Sequence, residues 1–312
     1  MTYNKWDPLG SRSTYSGPPL RKWQQAALTE WEKFNHKGVV EAITGTGKSL
    51  VGVAAIHEVI AYGGCALVLV PTRALVAQWT STVRETLVGV RVGQLSDGER
   101  SDFSKSDIVI ATVQSVYANP LRPRSLMLIV ADEVHRYGSE QFKRALRKEY
   151  SWRLGLSGTY ERQQDDGVQR YLNPYFGDVR FKYGYGEALR DQTVAPFDLA
   201  FVETPLAPSE LKEYEEADKR CSDARKVLLK EFGFPADFRE FFAMVSAGAG
   251  MSEPGYLRDT CRKYMDGFSD RKKVLASAAS KLTFVEAAAK FLDPLGGTII
   301  FSETKASAAQ MA

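Results

Sequence analysis

The feature that most constrains the fold is a glycine-rich loop between two apolar runs. Ala42-Ile43-Thr44-Gly45-Thr46-Gly47-Lys48-Ser49 follows Gly38-Val39-Val40-Glu41, which reads as a buried strand. It precedes Leu50-Val51-Gly52-Val53-Ala54-Ala55-Ile56, which is suited to open a helix. The pattern A/G-x-x-x-x-G-K-S/T in a strand–loop–helix setting marks a phosphate-binding loop; the bland alternative is a turn with a surface lysine. The residue types match that chemistry. Thr44, Gly45, Thr46 and Gly47 allow the backbone to curl so that its N–H groups face phosphate oxygens. The helix N-terminus adds about half a positive charge facing the anion. Lys48 would reach the β- and γ-phosphates of ATP, and the Ser49 hydroxyl would ligate Mg²⁺.

A second constellation stands downstream. Leu126-Met127-Leu128-Ile129-Val130-Ala131 is long and apolar enough for a buried parallel strand. It ends on Asp132-Glu133-Val134-His135. In open α/β sheets the carboxyl ends of the strands are where ligands bind. Asp132 is placed to hold Mg²⁺ together with Ser49, directly or through water. Glu133 is placed to orient and deprotonate the water that attacks the γ-phosphate. His135 is a candidate relay of the γ-phosphate state.

From Leu20 onward helical and strand patterns alternate. Strands are predicted at 38–42, 65–70, 90–94, 108–111, 126–131 and 153–157, with helices between them such as 49–61 and 74–87. Alternation of this kind implies an α/β fold, a parallel sheet with helices on both faces. Residues 1–19, rich in Ser, Gly, Pro and Tyr, read as a flexible lead-in. Residues 194–204 read as an extended segment closing the first domain, placed at 20–204. Residues 205–292 turn helical, with stretches at 237–245, 256–265 and 270–291, and Ser246-Ala247-Gly248-Ala249-Gly250 reads as a flexible joint.

These motifs together carry a resemblance. The chain resembles a superfamily 2 helicase or translocase with a DEAH-like box at Asp132–His135, most of all the group of transcription-repair helicases and restriction-system motors. Further motifs follow in the family's order. Leu20-Arg21-Lys22-Trp23-Gln24 is similar to its adenine-reading motif. Pro71-Thr72-Arg73-Ala74-Leu75-Val76-Ala77-Gln78-Trp79 and Ile110-Ala111-Thr112-Val113-Gln114-Ser115 are similar to its two nucleic-acid backbone motifs. Leu154-Gly155-Leu156-Ser157-Gly158-Thr159 resembles the motif linking hydrolysis to movement. Gly297-Thr298-Ile299-Ile300-Phe301-Ser302-Glu303-Thr304 resembles the opening strand of a second motor domain.

The resemblance implies a RecA-like sheet, a helical insertion at 205–292 and the start of a second RecA-like domain at 293–312. It implies ATP and Mg²⁺ as cofactors. Adenine would be read by Arg21 and Gln24. DNA, duplex or single-stranded, would be held without regard to sequence by Thr72, Arg73, Thr112 and Gln114. Ser157 and Thr159 would carry the coupling. Two positions depart from the family: Gly158 stands where alanine is usual, and Tyr160 where proline follows the threonine. The family's later motifs, including its arginine finger, have no candidate here, so the sequence alone suggests a truncated motor of low activity. An arginine finger is worth roughly 10³–10⁵ in rate.

Composition adds boundaries. The 312 residues carry a net charge of +3, with 44% hydrophobic and 25% charged residues, as expected of a globular protein. Cys65, Cys221 and Cys261 form no paired motif, which fits a reducing, cytoplasmic setting and no cysteine metal site. No run approaches the ~18 apolar residues of a membrane span. In the helical stretch, Arg225, Lys226, Lys230, Arg258, Arg262, Lys263, Arg271, Lys272 and Lys273 read either as a phosphate-contacting surface or, more commonly, as a solvated helix face. Phe232, Phe234, Phe238, Phe241 and Phe242 read either as stacking platforms or as packing. Three functions remain open on the sequence: an ATP-dependent DNA helicase or translocase, a nucleotide-dependent DNA- or protein-binding module without motor activity, and the motor of a restriction or antiviral complex with other subunits.

Overall fold

The structure is a computed structural model that describes residues 13–311 apart from 97, 123, 162–165 and 293–296. The chain divides into two compact units, residues 1–197 and 198–312.

In the first unit the elements run β1 (Thr14–Tyr15), α1 (Lys22–Lys33), β2 (Lys37–Ala42), α2 (Lys48–Ala61), β3 (Cys65–Val70), α3 (Arg73–Thr86), β4 (Leu87–Val88), β5 (Val92–Ser96), β6 (Glu99–Arg100), β7 (Ile108–Thr112) and α4 (Val113–Ala118). They continue with β8 (Met127–Asp132), β9 (Trp152–Ser157), α5 (Asn173–Phe176), β10 (Val179–Tyr183) and α6 (Tyr185–Arg190). Eight strands form one sheet in the order β10-β2-β9-β8-β3-β7-β5-β6. All its pairings are parallel except that of β6, which turns back antiparallel on β5. This is the RecA-like α/β sheet with helices on both faces.

The alternation of side chains along each strand explains why both faces are covered. Ala66, Val68 and Val70 of β3, with Leu128 and Val130 of β8, join one core with Leu28 and Trp31 of α1, Val53 and Ile56 of α2, and Trp79 and Val83 of α3. Leu67 and Leu69 of β3, with Met127, Ile129 and Ala131 of β8, join a second core with Val113, Val116, Tyr137, Leu172 and Phe176. Every residue of β3 and of β8 is buried.

The second unit is helical. It contains α7 (Pro208–Glu231), α8 (Phe238–Ala249), α9 (Tyr256–Ser277), α10 (Ala279–Leu292) and α11 (Lys305–Met311). Cys221, Ala224 and Leu228 of α7 pack with Phe241 and Val245 of α8 and with Cys261 and Tyr264 of α9. At Gly267 a Cβ would stand 2.8 Å from the Ala217 carbonyl oxygen, so its absence sets how closely α7 and α9 approach.

The structure corrects several sequence expectations. Of the lead-in 1–19, residues 1–12 lie outside the described residues, but Thr14–Tyr15 pairs antiparallel with Leu87–Val88, and the Ser13 hydroxyl is 2.8 Å from His57 Nδ1. The expected joint at 246–250 is the C-terminal turn of α8, where Gly248 lies against Cys261. The helix expected at 270–291 is broken at Ala278, which takes φ −55° and ψ 125° and separates α9 from α10. Residues 297–304, expected as the opening strand of a second motor domain, carry no strand pairing, and Ile299 and Phe301 are exposed. A strand needs a neighbour for its N–H and C=O groups, and no neighbour is found among the described residues. Among those residues no helix is long and apolar enough to cross a membrane.

Candidate functional site

The parallel register brings the sequence motifs to one edge of the first sheet. Glu41 of β2 lies opposite Ser157 of β9, Leu156 of β9 opposite Asp132 of β8, Ala131 of β8 opposite Leu69 of β3, and Val70 of β3 opposite Thr112 of β7. The loop 42–49, the pair Asp132–Glu133, Ser157, Thr72 and Thr112 therefore all emerge at the carboxyl edge. Neighbouring strands are about 4.8 Å apart. The β2–β9–β8 side carries the phosphate-loop chemistry, and the β3–β7 side begins next to it.

In the loop, Gly45 and Gly47 take φ of +81° and +92°. These left-handed values favour glycine and turn the backbone into the N-terminus of α2. The Thr46 hydroxyl donates to the Ile43 carbonyl at 2.7 Å, closing the turn from inside. Thr44 and Gly45 are exposed; Ser49 is half-buried in the first turn of α2. Lys48 is buried; desolvation pushes its ammonium pKa down, partly offset by the charges of Glu133 and Asp132. A Cβ at Gly158 would stand 3.8 Å from Lys48 Nζ and 3.5 Å from the Thr44 methyl, so the departure from alanine leaves room beside the lysine.

Gln24 and Arg21 stand over the same loop. The Gln24 amide donates to the Gly47 carbonyl at 2.9 Å, and Arg21 Nη1 donates to the Thr46 carbonyl at 3.2 Å. Gln24 Oε1 accepts from the Arg21 backbone N–H at 2.7 Å. Beside them lies a cavity of about 390 Å³ lined by Arg21, Lys22, Trp23, Asp191, Gln192 and Thr193. Its wall is fixed by Trp23 stacked on Tyr183 at 4.6 Å and by the Tyr183 hydroxyl bonded to Asp191 at 2.8 Å. The wall residues 191–193 escaped sequence analysis because no motif spans them.

Asp132 is buried, which raises its carboxyl pKa against the hydrogen bonds it receives. Trp79 Nε1–H donates to Oδ2 at 2.8 Å and the Glu133 N–H to Oδ1 at 3.0 Å; the Tyr137 hydroxyl donates to the Asp132 carbonyl at 2.8 Å. No local pattern in the sequence gives Trp79 a role of its own; it is one of the buried residues of α3. Glu133 takes φ 51° and ψ 47°. For a non-glycine residue this left-handed geometry costs on the order of 1–2 kcal/mol. Strain of this kind persists where the surroundings over-determine it, and it clusters at functional sites.

From Glu133 a polar chain runs to the coupling motif. His135 Nδ1 is 3.5 Å from Glu133 Oε2 and 2.8 Å from the Ser157 hydroxyl. That hydroxyl is also 2.6 Å from the Thr159 carbonyl. Three residues expected at the catalytic centre and in coupling thus touch one another, whereas Thr159 enters through its backbone.

On the β3–β7 side, Thr72 and Thr112 cap helices. The Thr72 hydroxyl accepts from the Leu75 N–H at 3.4 Å, and the Thr112 hydroxyl accepts from the Ser115 N–H at 3.2 Å. Arg73 opens α3 and Gln114 lies in the first turn of α4, both exposed.

The helical unit places its charges differently. Arg271 pairs with Asp218 at 2.6 Å, Lys272 with Glu303 at 2.9 Å, Lys273 with Asp270 at 3.1 Å, Arg258 with Asp259 at 3.0 Å and Lys226 with Asp223 at 3.3 Å. Arg225 and Arg262 donate to the carbonyls of Ala236 and Ala249. Of the phenylalanines, Phe234 and Phe241 are buried and Phe232 and Phe242 pack against them, while Phe238 is exposed. The three cysteines are free and buried. No group of three or more His, Cys, Asp or Glu able to hold a metal occurs among the described residues.

Comparison with known proteins agrees with this geometry. Residues 18–162 match the family described as type III restriction enzyme, res subunit. A candidate DNA 3'-5' helicase, Rad25, of Halobacterium salinarum is 32% identical over 158 residues, 49% of this chain and 25% of that protein. The ATP-dependent DNA helicase RecG of Treponema pallidum is 25% identical over 122 residues, 35% of this chain and 18% of that protein. The chain thus spans about a quarter or less of the length of these relatives. The Pyrococcus furiosus Hef helicase domain superposes with a TM-score of 0.51 at 18% identity, covering 88% of this chain and 64% of that one, and shows the shared fold. Motif order, strand-edge geometry and the family match together identify residues 18–162 as part of a superfamily 2 DExD/H-like helicase motor domain.

Proposed function

We propose that this chain carries the ATP-binding motor half of a DNA helicase or translocase, coupling Mg-ATP hydrolysis to movement on DNA. The observation that carries the reading is the convergence of Lys48, Asp132, Glu133 and Ser157 on one sheet edge, next to Thr72, Arg73, Thr112 and Gln114. In this reading residues 20–204 are the motor domain and residues 205–292 an inserted helical module. A cytoplasmic location is in keeping with the three free cysteines.

The residues fit the magnesium nucleotide. Asp132 and Ser49 offer the hard oxygen donors that Mg²⁺ takes, and Lys48 is a desolvated cation beside the loop. When bound, the ion neutralises charge on the phosphate oxygens. The loop N–H groups and Lys48 hold the phosphates. Arg21 and Gln24, already on the loop, face the adenine side. Glu133 orients a water and takes its proton as the water oxygen bonds to the γ-phosphorus and the β–γ bridge breaks, leaving ADP and phosphate. His135, in contact with Glu133 on one side and with Ser157 of the coupling motif on the other, is the relay between them in this reading.

The names of the Rad25 and RecG relatives support DNA as the partner, and RecG's supports ATP. The family match to a restriction-enzyme subunit favours a second reading, the motor of a restriction or defence complex. A nucleotide-dependent binding module without motor activity is the third. Steady-state ATP hydrolysis by residues 1–312 with and without duplex DNA separates the motor readings from the binding module. Turnover that rises with DNA supports a motor. Nucleotide binding without turnover in either condition contradicts it and leaves the binding module.

A further inference from the structure

Trp79 joins three elements of the site. Its indole N–H donates to Asp132 Oδ2 at 2.8 Å in a buried setting. Its ring lies against α2, where a Cβ on Gly52 would stand 2.6 Å from Cη2. It belongs to α3, whose N-cap is Thr72 and whose first residue is Arg73. Six residues along a helix separate Arg73 from Trp79, a rise of about 9 Å. One stiff side chain thus spans from the helix of a candidate DNA contact to the carboxylate proposed for magnesium, while touching the helix that carries Lys48.

We infer that Trp79 is a positioning residue: it fixes the rotation of the Asp132 carboxylate toward Mg²⁺ and passes the position of α3 to it. The inference rests on the magnesium role proposed above for Asp132. With Oδ2 held by the indole and Oδ1 by the Glu133 N–H, the carboxylate plane is set from both sides, and only its remaining lone pairs are open to the ion. A helix displaced at its N-terminus by a bound phosphate moves Trp79 as a rigid part and turns that plane. Hydrogen-bond partners behind a metal-binding carboxylate typically change metal affinity or activity by about 10- to 100-fold when removed.

The test is Trp79→Phe, which keeps an aromatic ring at the buried position and removes the donor. A fluorescent ADP analogue is titrated onto residues 1–312 across a Mg²⁺ series, with and without a duplex, and again in EDTA. The expected result is a Mg²⁺ requirement raised by about tenfold or more, with nucleotide affinity in EDTA unchanged. DNA should lower the Mg²⁺ requirement of the wild-type protein and not of the variant. A purely structural role would shift affinity in both media alike, and that outcome overturns the inference, as does a Mg²⁺ requirement or DNA effect equal to wild type. Asp132→Asn is the control. A shift there without one in Trp79→Phe overturns the inference alone; no shift in either removes the magnesium reading and the inference with it. Should Trp79→Phe not fold, the Trp79 indole resonance of the ¹⁵N-labelled wild-type protein reads the same contact. Mg²⁺ added to the ADP complex is expected to move it, and a fixed resonance overturns the inference.

Discussion

The two units place their polar groups in opposite ways. In residues 1–197 the polar residues at strand ends are buried and converge: Lys48, Asp132 and Ser157 are all largely hidden from solvent. In residues 198–312 the charged residues sit on helix surfaces and pair with one another, Arg271 with Asp218 and Arg220 with Asp270. Burying a charge is costly unless it gains a partner or a function, whereas exposed pairs are worth at most about 1 kcal/mol. The sheet unit therefore holds unfavourable groups at one edge, as an active site does, and the helical unit shows the charge pattern of a solvated fold.

The largest expected effect sharpens that contrast at Glu133. Glu133→Gln retains shape and loses the base, so hydrolysis should fall by roughly 10²–10⁴-fold, the usual range for a general base. Binding of nucleotide should persist. Single-turnover hydrolysis measures both, and a variant as fast as wild type would remove Glu133 from the chemistry. The companion Glu133→Asn tests the strain. Asparagine tolerates the left-handed geometry better than glutamate, so the variant should be as stable as wild type or melt higher while hydrolysing no faster than Glu133→Gln; a midpoint well below wild type refutes the strain argument.

A smaller effect tests whether the units act separately. Gly267→Ala drives a Cβ to 2.8 Å from the Ala217 carbonyl oxygen. Overpacking of this kind typically costs about 1–3 kcal/mol. The thermal midpoint of the helical unit should drop, with nucleotide affinity unchanged. Loss of nucleotide binding in that variant would mean that the site depends on the helical unit.

The smallest effects concern DNA. Arg73→Ala should weaken binding equally for unrelated duplexes, and the slope of log K against log salt should become shallower by about 0.9, one phosphate contact. Arg271→Ala breaks a half-buried pair in the helical unit and should leave that slope unchanged. Fluorescence anisotropy across a salt series reads both. A steeper loss from Arg271→Ala than from Arg73→Ala would move the DNA surface to the helical unit.

Much of the first unit was legible because its signals are local. The strand read at 65–70 is found as Cys65–Val70, and that read at 126–131 is found one residue on, as Met127–Asp132. Long apolar runs announce buried parallel strands, and the loop and the acidic pair mark their ends. Strand β10, with Arg180 and Lys182 between Val179 and Tyr183, lies at the sheet edge, where alternation with charged residues hides it among loops. The contact of Trp79 with Asp132 joins positions 53 residues apart, which no local pattern reports. In the helical unit, Gly248 reads as a breaker by propensity, yet close packing on Cys261 holds it inside α8. Tertiary contact overrides propensity there, whereas Thr72 and Thr112 follow it, their hydroxyls closing the N-termini of their own helices.

The measurement that bears most directly on the account is calorimetry of Mg-ADP binding to the wild-type chain, to Lys48→Ala and to Arg271→Ala. Lys48 lies in the loop of the sheet unit, and Arg271 is a basic residue of comparable reach in the helical unit. The account predicts that Lys48→Ala loses most of the affinity while its thermal unfolding shows an intact fold, and that Arg271→Ala binds as wild type does. Equal binding by wild type and Lys48→Ala would contradict it.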